Sequence, residues 1–152
     1  MAREVRRVAK DWQHPTNGKY SDGKTRYKPL FEGYESDAKD FMNRATKDGL
    51  QAAVDYCGRA PNKKDYMPDW TEAEATHYQM YETVSEGTPI SPVMESPEAL
   101  ARWLADNGAD AGAGGVANYS QWLRVCRGGY APSFVMDSRG ITPGVAAFSD
   151  EE

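Results

Sequence analysis

The sequence is poor in the residue types that most often carry catalysis and metal binding. Its 152 residues include only two histidines, His14 and His77, and two cysteines, Cys57 and Cys126. These four residues have no i,i+3 or i,i+4 spacing that would preorganise a tetrahedral site, and no DxDxDG loop is present. The sequence therefore predicts no bound metal, and the two separated cysteines predict reduced thiols in a cytoplasmic compartment.

Long apolar runs are also missing. No stretch approaches the ~18 apolar residues of a membrane span. No basic amphipathic stretch suggests a surface anchor, and the first residues do not resemble a signal peptide. We therefore expect a cytoplasmic protein without a membrane partner.

Aromatic residues, by contrast, are frequent. Four tryptophans, nine tyrosines and four phenylalanines make up 11% of the chain, more than a disordered chain contains. The length is typical of one domain, so the sequence predicts a single domain over residues 1–152. Within it, turn formers and charges predict a flexible loop at 16–28, and the acidic end of the chain predicts a frayed tail at 149–152.

The formal net charge of −5 is unevenly distributed. Residues 1–76 carry 14 Lys and Arg against 13 Asp and Glu, whereas residues 77–152 carry 4 against 10. Between residues 82 and 110, Arg102 is the single cation among six acids. This segment is expected to present a negative field to a basic partner, although an ordinary solvated face gives the same pattern.

Capping signals and apolar periodicity predict a mixed fold. Helices are predicted to begin near residues 36, 50, 71, 97 and 119. Strands are predicted at 3–8, 78–84, 90–94, 133–136 and 141–148, the first of them a polar edge strand or extended arm. The sum is an α+β domain, a small mainly antiparallel sheet flanked by three to four helices.

The segment SEGTPISP, residues 85–92, combines hydroxyls, a carboxylate and two prolines. Pro89 and Pro92 predict an edge strand within a hairpin. The side chains near it without a local structural role, together with two tryptophans expected at the surface, form our predicted partner-binding set: Glu82, Ser85, Glu86, Ser91, Glu95, Trp12 and Trp70. Aromatic anchors surrounded by charge are typical of protein interfaces.

A small enzyme is the alternative hypothesis. Hydroxyls between Ser85 and Ser91 would act with His14 or His77 as nucleophile and base, but no third orienting group and no G-x-S-x-G elbow are present. We therefore predict no catalytic residue. The stretch 112–117 matches G-x-G-x-x-A, yet a predicted helix precedes it where the dinucleotide fingerprint needs a strand, so we predict no cofactor.

Nucleic-acid binding is a weaker alternative. The first residues place cations beside rings, as single-strand binders do, and the cations are Arg3, Arg6, Arg7 and Lys10. A pI near 5.1 and interspersed acids argue against this reading, because nucleic-acid binding domains are usually basic.

Several motifs together resemble a family of small proteins of tailed bacteriophages and prophages of proteobacteria. The matching motifs are REVRRV (3–8), WQHP (12–15), YMPDW (66–70), MYET (80–83), SEGTPISP (85–92), PEALARWL (97–104) and YSQWL (119–123). The resemblance covers most of the chain apart from 16–28 and 35–60. The sequence departs from the family pattern at Ala9, where proline is expected, and at the glycine-rich 108–117.

The resemblance implies a source and no activity. Small acidic phage proteins without a catalytic constellation are often inhibitors of a host or defence complex, including anti-CRISPR proteins. The resemblance thus implies a protein that acts in the cytoplasm of an infected bacterium by binding a host or defence-system protein.

Overall fold

The structure, a computed structural model, describes residues 2–83, 87–111, 115–131, 134–137 and 140–145. The chain divides into two compact units. Unit 1 comprises Met1–Lys28 and Trp70–Glu152, and unit 2 comprises Pro29–Asp69. In sequence, unit 2 is therefore an insertion into unit 1.

Eight strands and four α-helices occur among the described residues. The strands are β1 (Ala2–Val8), β2 (Thr16–Lys19), β3 (Thr25–Tyr27), β4 (His77–Thr83), β5 (Thr88–Pro89), β6 (Tyr130–Ala131), β7 (Phe134–Asp137) and β8 (Gly140–Pro143). The helices are α1 (Tyr34–Asp48), α2 (Leu50–Cys57), α3 (Pro97–Asp106) and α4 (Tyr119–Gly128). The predicted α+β class, with a small antiparallel sheet and three to four helices, is confirmed.

The main sheet has the strand order β5-β4-β1-β6, and all its pairs are antiparallel. β1 pairs with β4 along its whole length, with Val5 opposite Met80, and pairs with β6 on its other side. The prediction of an edge strand or arm at the N-terminus is therefore wrong. A strand rich in arginine occupies the middle of this sheet because Arg3, 1% exposed, is neutralised by carboxylates at its side-chain end.

Two other strand predictions need correction. Residues 16–28, for which turn formers predicted a loop, form the antiparallel hairpin of β2 and β3. The strand predicted at 90–94 does not form as a continuous strand. The chain pairs with β4 earlier, at β5 (Thr88–Pro89), and Met94 forms a single isolated bridge with Tyr78. β5 does lie at the edge of the sheet, as its prolines predicted.

The helix starts of unit 1 follow their capping residues. Ser96 Oγ accepts from the Ala99 N–H at 3.0 Å with Pro97 at the first helical position, and Asn118 forms a capping box with Gln121. Gly129 ends α4 with φ 92°, a left-handed conformation that favours glycine. The short helix predicted from Thr71 is absent. Thr71 and Glu74 exchange the capping hydrogen bonds, but the chain makes one turn there and no helix.

The core of unit 1 lies between the sheet and the two helices α3 and α4. Its large buried side chains are Met80, Leu100, Leu104, Trp122 and Val125. Unit 2 is built mainly from α1 packed on α2, and its buried apolar side chains are Leu30, Phe41 and Ala53.

Candidate functional site

A cluster of aromatic rings in unit 1 contains Trp12 and His14. The Trp12 and Trp70 rings meet edge to face with centroids 5.0 Å apart, and the Trp12 and His14 rings do so at 5.8 Å. His14 in turn makes an edge contact with Tyr27 at 5.7 Å. Such contacts add to the stability gained by burying the rings, and they fix the rings in one orientation.

Hydrogen bonds hold the polar ends of the same cluster. The Trp12 Nε1–H donates to the Tyr81 hydroxyl at 3.1 Å, and His14 Nδ1 lies 2.9 Å from that hydroxyl. His14 Nε2 lies 2.6 Å from the Lys28 carbonyl oxygen. A carbonyl only accepts, so Nε2 carries the proton and Nδ1 is the acceptor in the neutral ring. The Tyr81 hydroxyl also lies 3.0 Å from Gln79 Oε1, so its one proton serves two acceptors.

The surroundings of His14 keep its ring neutral near pH 7. Burial lowers its pKa from the ordinary value of 6.5, the nearby Arg6 guanidinium lowers it further, and the hydrogen bond to Lys28 opposes both. Arg6 itself lies over the Tyr81 ring, 4.3 Å from its centroid. The Tyr81 hydroxyl thus links the His14 ring to the Trp12 indole.

Beside this cluster runs an open groove of about 630 Å³, which we call the aromatic groove. Trp12, Tyr27 and Trp103 contribute rings. The chain after β5 contributes aliphatic surface from Pro89, Ile90, Pro92 and Val93. The polar residues of its lining are Gln13, His14, Gln79 and Ser91. With His14 neutral, no lining residue among those described carries a formal charge.

Ser91 does not form the nucleophile and base pair that the enzyme hypothesis requires. Its hydroxyl accepts from the Met80 N–H at 2.9 Å and donates to the Pro92 carbonyl at 2.9 Å. His14 bonds to Tyr81 and Lys28, while Nδ1 of His77 lies 2.8 Å from the Thr76 hydroxyl at the surface. Both histidines are thus engaged elsewhere.

The remaining members of the predicted partner-binding set are dispersed. Trp12 lines the aromatic groove, and Trp70 supports it from the side. Glu95 is exposed, and the half-buried Glu82 forms an ion pair with Arg3 at 3.4 Å. Ser85 and Glu86 lie outside the described residues, as does part of the 112–117 glycine stretch.

The predicted nucleic-acid residues differ sharply in their exposure. Arg3 is buried, with Nε donating to the Asp110 carbonyl at 2.8 Å, and the buried Arg6 pairs with Glu4 at 3.1 Å. Arg7 and Lys10 are exposed. Two of the four cations are therefore engaged by internal carboxylates, which removes them from contact with phosphates.

Unit 2 has a separate cleft of about 520 Å³ with charged walls. Asp37 accepts from the Tyr66 hydroxyl at 2.6 Å, and Arg59 pairs with Asp65 at 2.9 Å. Burial, with the hydrogen bond to Asp37 next, raises the pKa of Tyr66 to about 12. Of the charged residues in this lining, Arg59 and Asp65 therefore form an ion pair, while Asp37 is bonded to a neutral hydroxyl.

The two cysteines differ in their exposure to solvent. Cys57 is exposed and Cys126 is buried, and burial raises the pKa of the Cys126 thiol to about 12. Among the described residues, no group of three or more His, Cys, Asp or Glu is arranged to hold a metal ion. In the same part of the chain, no helix has the length and apolarity needed to cross a membrane.

Sequence reasoning identified Trp12 and Trp70 but missed the groove itself. No sequence pattern predicted a role in a binding site for Trp103, Gln79 or Tyr81. The hydrogen bonds of the cluster join Tyr81 to Trp12 and His14, nearly 70 residues away in the sequence. No local sequence pattern reveals contacts of this range. The available signal was the alternation of β4, which places Gln79 and Tyr81 on the face opposite Met80.

Comparison with protein-family models, curated proteins and solved structures gives no match. The phage resemblance in the sequence therefore remains a prediction.

Proposed function

We propose that this protein acts by binding another protein, and that the aromatic groove of unit 1 is its contact surface. One observation carries the proposal: Trp12 donates its N–H to Tyr81 and packs edge to face on Trp70, and it lines an open groove. Tryptophan and tyrosine anchors that lose little conformational entropy on binding dominate the energetics of protein interfaces.

The polar chemistry of the groove favours binding over catalysis. The Ser91 hydroxyl, both nitrogens of His14 and the Trp12 N–H are all engaged in internal hydrogen bonds. Ser91 Oγ bonds to backbone atoms of Met80 and Pro92 and not to a histidine nitrogen, so the described lining of the groove contains no nucleophile–base pair. These atoms position rings, which is a function in recognition.

The phage resemblance supports the biological setting of the proposal. An acidic accessory protein of a tailed phage would act in the cytoplasm of the infected cell by occupying a surface of a host or defence complex, for example a CRISPR complex. Glu95, exposed near the groove's proline-rich wall, would favour a basic rim on that partner.

Site-specific photo-cross-linking tests this function. A photoreactive residue replaces Val93 in the groove or, as the control, the exposed Tyr20 in the β2–β3 hairpin. The protein is expressed in a proteobacterial host and irradiated in the cell. We expect a discrete protein adduct from position 93 and none from position 20. Equal labelling from both positions, or no protein adduct from position 93, would contradict the proposal.

A further inference from the structure

We propose that the partner segment bound in the aromatic groove is an extended, proline-rich chain in the polyproline II conformation. This inference rests on the proposed function and specifies the partner's chemistry. It follows from the charge of the groove, from its remaining hydrogen-bonding atoms and from the strand at its edge.

The charge of the lining restricts the occupant. Among the described residues, the lining has no formal charge while His14 is neutral. A charged side chain or phosphate docked there would lose hydration without gaining a counter-charge. Single-stranded nucleic acid would find rings to stack on but no cationic track for its backbone. The docked segment is therefore uncharged.

The lining of the groove offers hydrogen-bond donors to an acceptor on the occupant. Within the described residues, the Trp103 indole N–H makes no hydrogen bond, whereas the Trp12 indole N–H is donated to Tyr81. An indole N–H is a donor only. A polyproline II segment presents backbone carbonyls without internal hydrogen bonds, and its prolines have no N–H to satisfy. It therefore matches a groove whose lining includes both aromatic rings and a hydrogen-bond donor.

The edge of the sheet argues against the other extended mode of recognition, strand addition. β5 has two residues, and one of them, Pro89, lacks the N–H that a new strand would need. Pro92 follows in the same wall of the groove. A proline-rich segment does not depend on that ladder, because aromatic rings and not backbone pairing hold it in such grooves.

The decisive experiment observes the indole N–H resonances of the full chain by NMR. The probes are decaproline and, as the control, a glycine–serine peptide of the same length. The resonances are assigned by single Trp→Phe variants. We expect decaproline to move the Trp103 indole resonance and to leave the buried Trp122 resonance in place. The glycine–serine peptide is expected to move neither.

Two variants give the matched affinity test. Trp103→Phe keeps a ring but removes the donor, and we expect it to weaken decaproline binding about tenfold, the effect of one hydrogen bond. Trp70→Phe, outside the lining, should change affinity less than about twofold. Equal thermal unfolding of both variants and the parent chain establishes that the fold is kept.

Other outcomes overturn the inference. No shift of the Trp103 resonance, the same shift with the glycine–serine peptide, or binding of a deoxythymidine decamer through these same resonances would each contradict it. If Val93 cross-links to a protein while decaproline does not bind, the polyproline inference fails and the proposed function stands. If neither occurs, both fail.

Discussion

Units 1 and 2 differ in how much apolar surface each conceals. Unit 1 buries Leu100, Leu104 and Trp122 completely. In unit 2, Met42 and Leu50 are 61% and 65% exposed although they lie on its helices. A unit of about 40 residues has little interior to offer, because small chains bury a smaller share of their surface. The core of unit 1 is therefore expected to supply most of the stability.

The two units also use their polar side chains differently. In unit 1 the buried His14, Gln79 and Tyr81 form one connected network that fixes the rings beside the aromatic groove. In unit 2 the polar contacts are separate pairs near the surface, such as Arg59 with Asp65. Buried networks rigidify their surroundings, whereas exposed pairs contribute little. A preorganised surface is thus expected on unit 1.

The largest expected effect tests where the stability lies. Leu100→Ala removes a fully buried side chain and should lower the free energy of unfolding by about 2–5 kcal/mol, since it leaves a cavity. Leu50→Ala, the matched change at an exposed helical position of unit 2, should change it by less than about 0.5 kcal/mol. Urea unfolding measures both. Similar losses of unfolding free energy in the two variants would contradict the expectation that the core of unit 1 supplies most of the stability.

The next effect concerns the network of unit 1. Tyr81→Phe removes the hydroxyl shared by Trp12, His14 and Gln79, and it should cost about 1–3 kcal/mol because buried partners are left unsatisfied. Tyr20→Phe, at a side chain 57% exposed, should be neutral on the same urea curves. A neutral Tyr81→Phe would show that the network does not hold the rings.

A smaller effect is the response of unit 1 to pH. The pKa of His14 is lower in the folded chain than the ordinary value of 6.5, which applies to the unfolded chain. At a pH between the folded and unfolded pKa values, the unfolded chain therefore binds more protons. The contribution of His14 is fully present above about pH 7 and is lost as pH falls through about 6.5 towards the folded-state pKa. His14→Gln should flatten this part of the stability profile, measured above the range where carboxylates titrate. An unchanged slope would contradict the assignment.

The smallest effect concerns a surface contact of unit 2. Tyr66 should ionise near pH 12, above the ordinary tyrosine value, partly because its hydroxyl donates to Asp37. Asp37→Asn should lower that pKa towards the ordinary value without measurable loss of fold. Titration by ultraviolet absorbance follows the tyrosinate, and Tyr66→Phe identifies its step. Identical titrations of the parent chain and the Asp37→Asn variant would exclude the contact.

Local signals predicted the helices more accurately than the sheet and the groove. Ser96 and Asn118 cap their helices through contacts three residues away, and such short-range contacts can be read from sequence. The central position of β1 depends on Arg3 meeting Asp110, 107 residues away. The aromatic groove similarly depends on Trp12 reaching Tyr81. Neither pairing leaves a periodic pattern in the sequence. The polar composition of residues 3–8 therefore predicted an edge strand, although β1 lies inside the sheet.

The two junctions of the insertion meet the same small set of residues. Lys28, the last residue before unit 2, donates its N–H to Pro15 and accepts from His14, while Trp70, the first residue after unit 2, lies against Trp12. Chain ends held this close tolerate exchange of the segment between them. Residues 29–69 are therefore expected to tolerate replacement or a change of length. Related chains are expected to differ most in the length and sequence of this segment and to retain Trp12 and Trp70, whose rings are in contact.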